Sequence, residues 1–172
     1  MLHYTGVGAR ITPFSVCQEM VEIATLLNES GYRLRSGLAK RGADVAFKLG
    51  SNGNCDLFDP NGINFKIPED AYEIAKRHHV AWDWLRPFHK DLMARNVMAC
   101  LGPTLDNPSA FLLCWTNDGI EHPKDRTKRS GGTGHTISVA HEFGIPICNM
   151  AKRDVNEFLK TYIKGWHTGC GE

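Results

Sequence analysis

The run Arg129-Ser-Gly-Gly-Thr-Gly-His-Thr-Ile-Ser-Val-Ala-His-Glu-Phe-Gly-Ile-Pro-Ile-Cys148 carries the residue types best suited to chemistry in this chain. It reads as a Gly-rich loop, then a helix, then a short buried strand. Gly131, Gly132 and Gly134 remove Cβ atoms where the helix should begin. Successive N–H groups can then point outward, and the positive end of the helix dipole adds to them, which suits phosphate or another anion. Glycines also serve plain tight turns, so the pattern alone leaves that second reading open.

Two further segments have the same character. Arg33-Leu-Arg-Ser-Gly-Leu-Ala-Lys-Arg-Gly-Ala-Asp-Val-Ala-Phe47 runs from a strand through glycines into a helix, and Leu2-His-Tyr-Thr-Gly-Val-Gly-Ala-Arg10 leaves a strand through Gly6 and Gly8. Open α/β sheets bind ligands beyond the carboxyl ends of their strands. Three such exits therefore predict one composite ligand edge. Arg10 at a strand exit is a candidate contact. Arg95, beside Asn96 near a helix end, can pair with phosphate bidentately or make a surface salt bridge. Trp115-Thr116 leaves the most apolar strand, where a Trp face can stack on a base or pack in the core.

The elements that must position these residues follow from periodicity. A strand over 2–6 precedes Thr12-Pro13, a helix start, and a helix over 13–29 with Val16, Met20, Ile23, Ala24 and Leu27 on one face. A strand over Tyr32–Ser36 and a helix over 39–49 come next. Residues 51–68 form a turn-rich excursion with one short strand. A helix over 71–80 is broken by Trp82-Asp-Trp-Leu-Arg-Pro87 and Phe88, and a further helix runs to Cys100. Ser109–Trp115 is a continuous apolar run, as expected of a strand buried on both faces of a parallel sheet. The polar residues 117–130 read as a mobile loop that could close over a ligand. A helix over 134–143, a strand over 145–148 and a helix over 152–164 complete a single α/β Rossmann-like domain spanning 1–172, a mostly parallel sheet with helices on both faces.

Bulk properties narrow the partners. A chain of 172 residues with 42% hydrophobic and 23% charged content can bury a substantial core. Its net charge of +1 gives no general attraction to nucleic acid. The basic clusters Lys40-Arg41 and Lys124 to Arg129 read as solvated loops. No apolar run is long enough for a membrane span and no signal peptide is evident, so a cytoplasmic location is expected. Cys100, Cys114 and Cys148 look like small buried hydrophobes. His167-Thr-Gly-Cys170 has no second ligand cluster, so neither a metal nor a cofactor is expected. Trp82, Trp84 and Phe88 can stack on bases, but interleaved with Ala81, Leu85 and Leu92 they read rather as core packing, and His78-His79 as a solvent-exposed pair.

Taken together, Tyr4-Thr-Gly-Val-Gly-Ala-Arg10, Ser36-Gly-Leu-Ala-Lys-Arg-Gly-Ala-Asp44, Ala94-Arg-Asn96 before Leu101-Gly102, and Ser130-Gly-Gly-Thr-Gly134 leading to Gly144-Ile-Pro146 are spread over nearly the whole chain. In that order they resemble the DNA-processing protein A family and its Rossmann-like superfamily, which also holds the Lonely Guy phosphoribohydrolases and nucleotide-sensing domains. Small phage-encoded members share this look. The resemblance implies a phosphate-bearing nucleotide or nucleotide-sugar as ligand, with its phosphates on Gly131, Gly132, Thr133, Gly134 and Thr136. Gly6, Gly8, Arg10, Ser36 and Gly37 would line the adjoining edge, and pairing into a homo-oligomer is implied as well.

The chain departs from that pattern at one telling place. Phosphoribohydrolases follow their Gly-Gly-x-Gly loop with paired glutamates, whereas this chain has His135, Thr136, Ile137 and Ser138. N-glycosidic cleavage needs charge stabilisation and water activation. The expectation is therefore binding without turnover of an ADP-ribose-like or cyclic nucleotide signal, in a phage setting a sequestered host immune signal. A first alternative is an N-glycosidase using a relocated acid: Asp44, Glu73, Asp118 or Glu142, with Asp44 and Glu142 the leading candidates. Asp44 can equally be a first-turn acid that favours its helix dipole. A second alternative is a single-stranded DNA binder of the recombination-mediator type.

Overall fold

The computed structural model describes residues 1–61 and 66–167. Five strands, β1 (Leu2–Gly8), β2 (Tyr32–Ser36), β3 (Cys55–Leu57), β4 (Leu112–Trp115) and β5 (Ile147–Asn149), form one sheet in the order β3-β2-β1-β4-β5. Every pairing is parallel. The connections are carried by α1 (Phe14–Glu29), α2 (Ala43–Gly50), α3 (Glu69–Arg77), α4 (Pro87–Leu101), α5 (Gly131–Glu142) and α6 (Val155–Tyr162). This is the α/β architecture expected from the sequence. The chain direction across the sheet reverses between β1 and β4, and that switch point is where a crevice opens in such folds.

Burial follows the two-residue period of the strands. Phe111, Leu113 and Trp115 face one core with Met20, Ile23 and Leu27 of α1, Phe47 of α2 and Phe158 of α6. Leu112 and Cys114 face the other, with Ala71 and Ala75 of α3, Val97 and Met98 of α4 and Ile137 of α5. The apolar run is continuous because both faces of β4 are covered.

Two glycines set the spacing on β1. A Cβ on Gly6 would lie 2.7 Å from Phe47 Cγ, and one on Gly8 would lie 2.6 Å from the Ala43 Cβ. Both therefore serve the close approach of α2 to the strand. Gly50 extends this, since a Cβ there would stand 2.3 Å from the Val21 carbonyl oxygen of α1.

Some boundaries differ from expectation, for local reasons. The second helix begins at Ala43 rather than 39, because Gly42 takes φ 79° and turns the chain just before it. The helix expected over 134–143 already starts at Gly131, so the presumed loop glycines form its first turn. The excursion over 51–68 contains β3, and its residues 62–65 lie outside the described residues, as does Cys170. Among the described residues no helix is long and apolar enough to cross a membrane.

The Gly6–Phe47 contact is open to direct test. Gly6→Ala should lower unfolding free energy by about 1–3 kcal/mol, the usual cost of overpacking. In a Phe47→Leu background the same substitution should cost less. Chemical denaturation of the four proteins checks this, and strict additivity would contradict the packing.

Candidate functional site

The strand ends Gly8 of β1 and Trp115 of β4 lie side by side. Beyond β1 a cleft of about 970 Å³ opens between the 37–41 loop, α4 and the start of α5. That volume is ample for a small-molecule ligand.

The start of α5 is built by its preceding turn. Thr127 and Ser130 both donate hydroxyl hydrogen bonds of 2.6 Å to Asp118 Oδ2, and the Thr127 N–H donates to Ser130 Oγ at 2.9 Å. Partial burial pushes the Asp118 carboxyl up, but hydrogen bonds from Ser130, Thr127 and Thr116 outweigh that and hold it below the usual range. The 117–130 stretch is further tied by Arg126, which donates to the His78 carbonyl, and by Glu121, which accepts from Asn149 N–H. Its glycines serve separate ends. Gly131 has φ 57°, a conformation that favours glycine, and no atom stands within 4 Å of a Cβ built on Gly131 or Gly132. A Cβ on Gly134, by contrast, would lie 2.5 Å from Ser130 Cβ. Gly131 and Gly132 therefore front open space with the unpaired N–H groups of a helix start, while Gly134 is a packing residue.

The opposite wall is charged. Arg95 of α4 lies across Gly37, where a Cβ would come within 2.0 Å of Arg95 Nη1 and 2.9 Å of Asp44 Oδ2. Only glycine lets both groups close over this strand exit. Burial lowers the Arg95 pKa, Asp44 and Asp59 oppose that, and its Nε has no hydrogen-bond partner among the described residues. Asp44 is 6% exposed and accepts the Ala39 N–H at 3.2 Å and a Gly8 N–H. Burial raises its pKa even though these bonds, Arg95 and Arg10 pull it down. It is thus a carboxyl that anchors the 37–42 loop while facing the cleft.

Asn96, next along α4, meets His135 of α5 with Nδ2 3.3 Å from His135 Nδ1. His135 Nε2 stands 3.0 Å from the Ala75 carbonyl, which can only accept, so Nε2 carries the proton and Nδ1 is the acceptor. That assignment turns the Asn96 amide nitrogen to His135 and leaves its carbonyl oxygen for the cleft that Asn96 lines. His135 is fully buried, and burial pushes its pKa down to about 3.

Of the residues proposed from sequence, Gly8, Arg10, Gly37, Asp44, Arg95 and Asn96 come together at this cleft with Gly131, Gly132, Thr133 and Thr136. Others are placed elsewhere. Gly6 lies under Phe47. Ser36 Oγ donates to the Gly6 carbonyl at 2.5 Å and pins β2 to β1. Trp115 is core, 8% exposed, and Thr116 Oγ1 accepts from Asn149 Nδ2 at 2.7 Å. Glu142 sits at the far end of α5, in an ion pair with Arg77 at 2.5 Å and in contact with His78, so it does not share the cleft with Asp44. His78 is half-buried by that contact rather than solvent-exposed. Glu73 is exposed on α3.

Sequence reasoning overlooked several lining residues. Lys40, Arg41 and Arg129 are solvent-exposed, as expected, and also stand at the cleft, as does Asp59. Phe88 lines it too and is 44% exposed, whereas Trp82 is core and Trp84 is 90% exposed, so the aromatic cluster is not one packed unit. The available signal was spacing: Phe88, Leu92, Asn96 and Ala99 recur at helical intervals and share the α4 face toward the cleft.

No family model, no curated protein and no solved structure matches the chain.

The buried imidazole yields a signed pH dependence. The unfolded chain protonates His135 near 6.5 while the folded chain holds it neutral down to about 3. Stability from this group is complete above pH 6.5 and declines as pH falls through that window, by at most about 1.4 kcal/mol per pH unit. Asp44, with its raised pKa, contributes the opposite sign. Urea unfolding of wild type and His135→Gln at pH 7, 6 and 5 should therefore show a shallower decline in the variant.

Proposed function

We propose that this protein binds a phosphate-bearing nucleotide or nucleotide-sugar in the cleft and holds it without turnover. One observation carries the reading. Arg10, Lys40, Arg41, Arg95 and Arg129 line one cleft together with the open start of α5, and among the described residues the acids lining it are Asp44 and Asp59, in a chain whose net charge is +1. Cationic side chains and helix-start N–H groups aimed at one space suit an anion that offers several oxygens. The placement of the acids supports retention. Glu142 and Asp118 are held in structural hydrogen bonds, and Asp44 accepts backbone N–H groups that fix a loop.

The reading includes the wider kinship suggested by the motifs, with the nucleotide-sensing branch of the DNA-processing protein A and Lonely Guy superfamily. It also includes a soluble cytoplasmic setting, a homo-oligomer and, if phage-encoded, the capture of a host signal. Calorimetry with AMP, ADP, cyclic AMP and ADP-ribose tests it. At least one should bind, unchanged after prolonged incubation, and Arg95→Met should weaken it by about ten- to a hundredfold, the range for a hydrogen-bonded charge. Silence across the panel would overturn the reading.

A second reading is favoured by one specific feature, the raised pKa of Asp44 at the cleft wall. A carboxyl there that holds its proton more readily than usual suits general-acid assistance to N-glycosidic cleavage. Free base released from a nucleotide by wild type and abolished in Asp44→Asn would establish turnover.

A further inference from the structure

The cleft is not uniform along its length. At one end α4 presents Arg95 and Asn96 to the first turn of α5. Toward its other end it presents Met93, Leu92 and Phe88. A helix rises about 1.5 Å per residue, so Phe88 and Asn96 are separated by roughly 12 Å along the axis. Arg95 with Asn96 and the apolar Met93, Leu92 and Phe88 thus belong to one continuous trough with α4 as one wall.

Phe88 is the unusual member of this row. It is 44% exposed, while Trp82, six residues earlier, is buried at 8%. Its ring meets the neighbouring His89 ring at 6.1 Å and 73° and otherwise leaves much of its surface to solvent at the cleft wall. An aromatic ring exposed inside a cationic trough suits a planar, weakly polar group joined to an anion. Leu92 and Met93 beside it are partly buried and extend the same apolar surface, with the Met thioether able to adapt to a ring edge.

We infer that the ligand lies lengthwise along α4, phosphates at Arg95 and the α5 start, nucleobase stacked on Phe88. This rests on the nucleotide reading and adds an orientation and a base platform to it. A phosphate, a ribose and a base laid end to end fill a trough of this length. The platform reads a π-face rather than a hydrogen-bond pattern, so it tolerates any base.

The test uses the intact chain with inorganic pyrophosphate and with ADP, probes that share the anion and differ in the nucleoside. Isothermal titration is paired with ¹⁵N spectra of the Gly131–Thr136 amides. Wild type should bind both, ADP more tightly, with both probes shifting the same amides. Phe88→Ala should weaken ADP by about tenfold, within the range for loss of one base–aromatic stack, and leave pyrophosphate unchanged. Phe88→Trp should restore ADP. A wild type that responds to neither probe removes the nucleotide reading itself. A wild type that binds both equally, or a Phe88→Ala protein that loses both in proportion or neither, removes the orientation alone. Loss of self-association in Phe88→Ala with ADP affinity intact would assign the ring to a second copy of the chain and overturn the platform.

Discussion

The distance between α2 and β1 governs this structure. It can be short only because Gly6 and Gly8 present no side chain to Phe47 and Ala43. With the helix seated that closely, its first turn comes down over the end of the strand. Asp44 then reaches back to the N–H groups of Gly8 and Ala39, and the 37–42 loop folds against the sheet edge. Arg95 of α4 lies over the same point from the other side, across Gly37. Larger side chains on β1 would lift α2 outward and separate the very groups that form the cleft wall.

Charge is distributed with similar economy of position. The chain as a whole is nearly neutral, yet cations gather at one crevice while many acids are occupied elsewhere. Glu142 holds Arg77, Glu121 holds Arg153, Asp56 holds Arg33, and Asp118 receives two hydroxyls. The potential of the cleft therefore arises from pairing choices made across the fold, not from composition. An electrostatic pocket of this kind is invisible to a net-charge argument.

The architecture was largely legible because its signals are local: one apolar face on α1, an unbroken apolar β4 and glycines at strand exits. The glycine-rich start of α5 was legible as well, although as a loop, since Gly propensity argues against a helix that its capping turn in fact imposes. What resisted reading depends on packing partners distant in sequence. Gly6 and Gly8 look alike in the chain, yet one supports a phenyl ring and the other also borders the cleft. Lys40 and Arg41 look like any solvated pair until the turn at Gly42 swings them over the strand ends. Trp84 and Phe88 carry the same hydrophobicity signal as Trp82, yet Trp82 is buried while Trp84, in the same short helical turn, and Phe88 are exposed.

The guanidinium of Arg95 is largely withdrawn from water, Asp44 and Asp59 offset part of that cost, and its Nε has no hydrogen-bond partner among the described residues. A buried cation in that condition opposes folding, so the protein tolerates an arrangement that an apolar residue of similar size would relieve. Selection for thermal stability alone would discard Arg95 early, and lineages that keep it would reveal a requirement other than stability. The same residue would make the protein's melting behaviour report on its surroundings. An anion that reached this guanidinium and bound only the folded chain would raise the melting temperature as its occupancy rose.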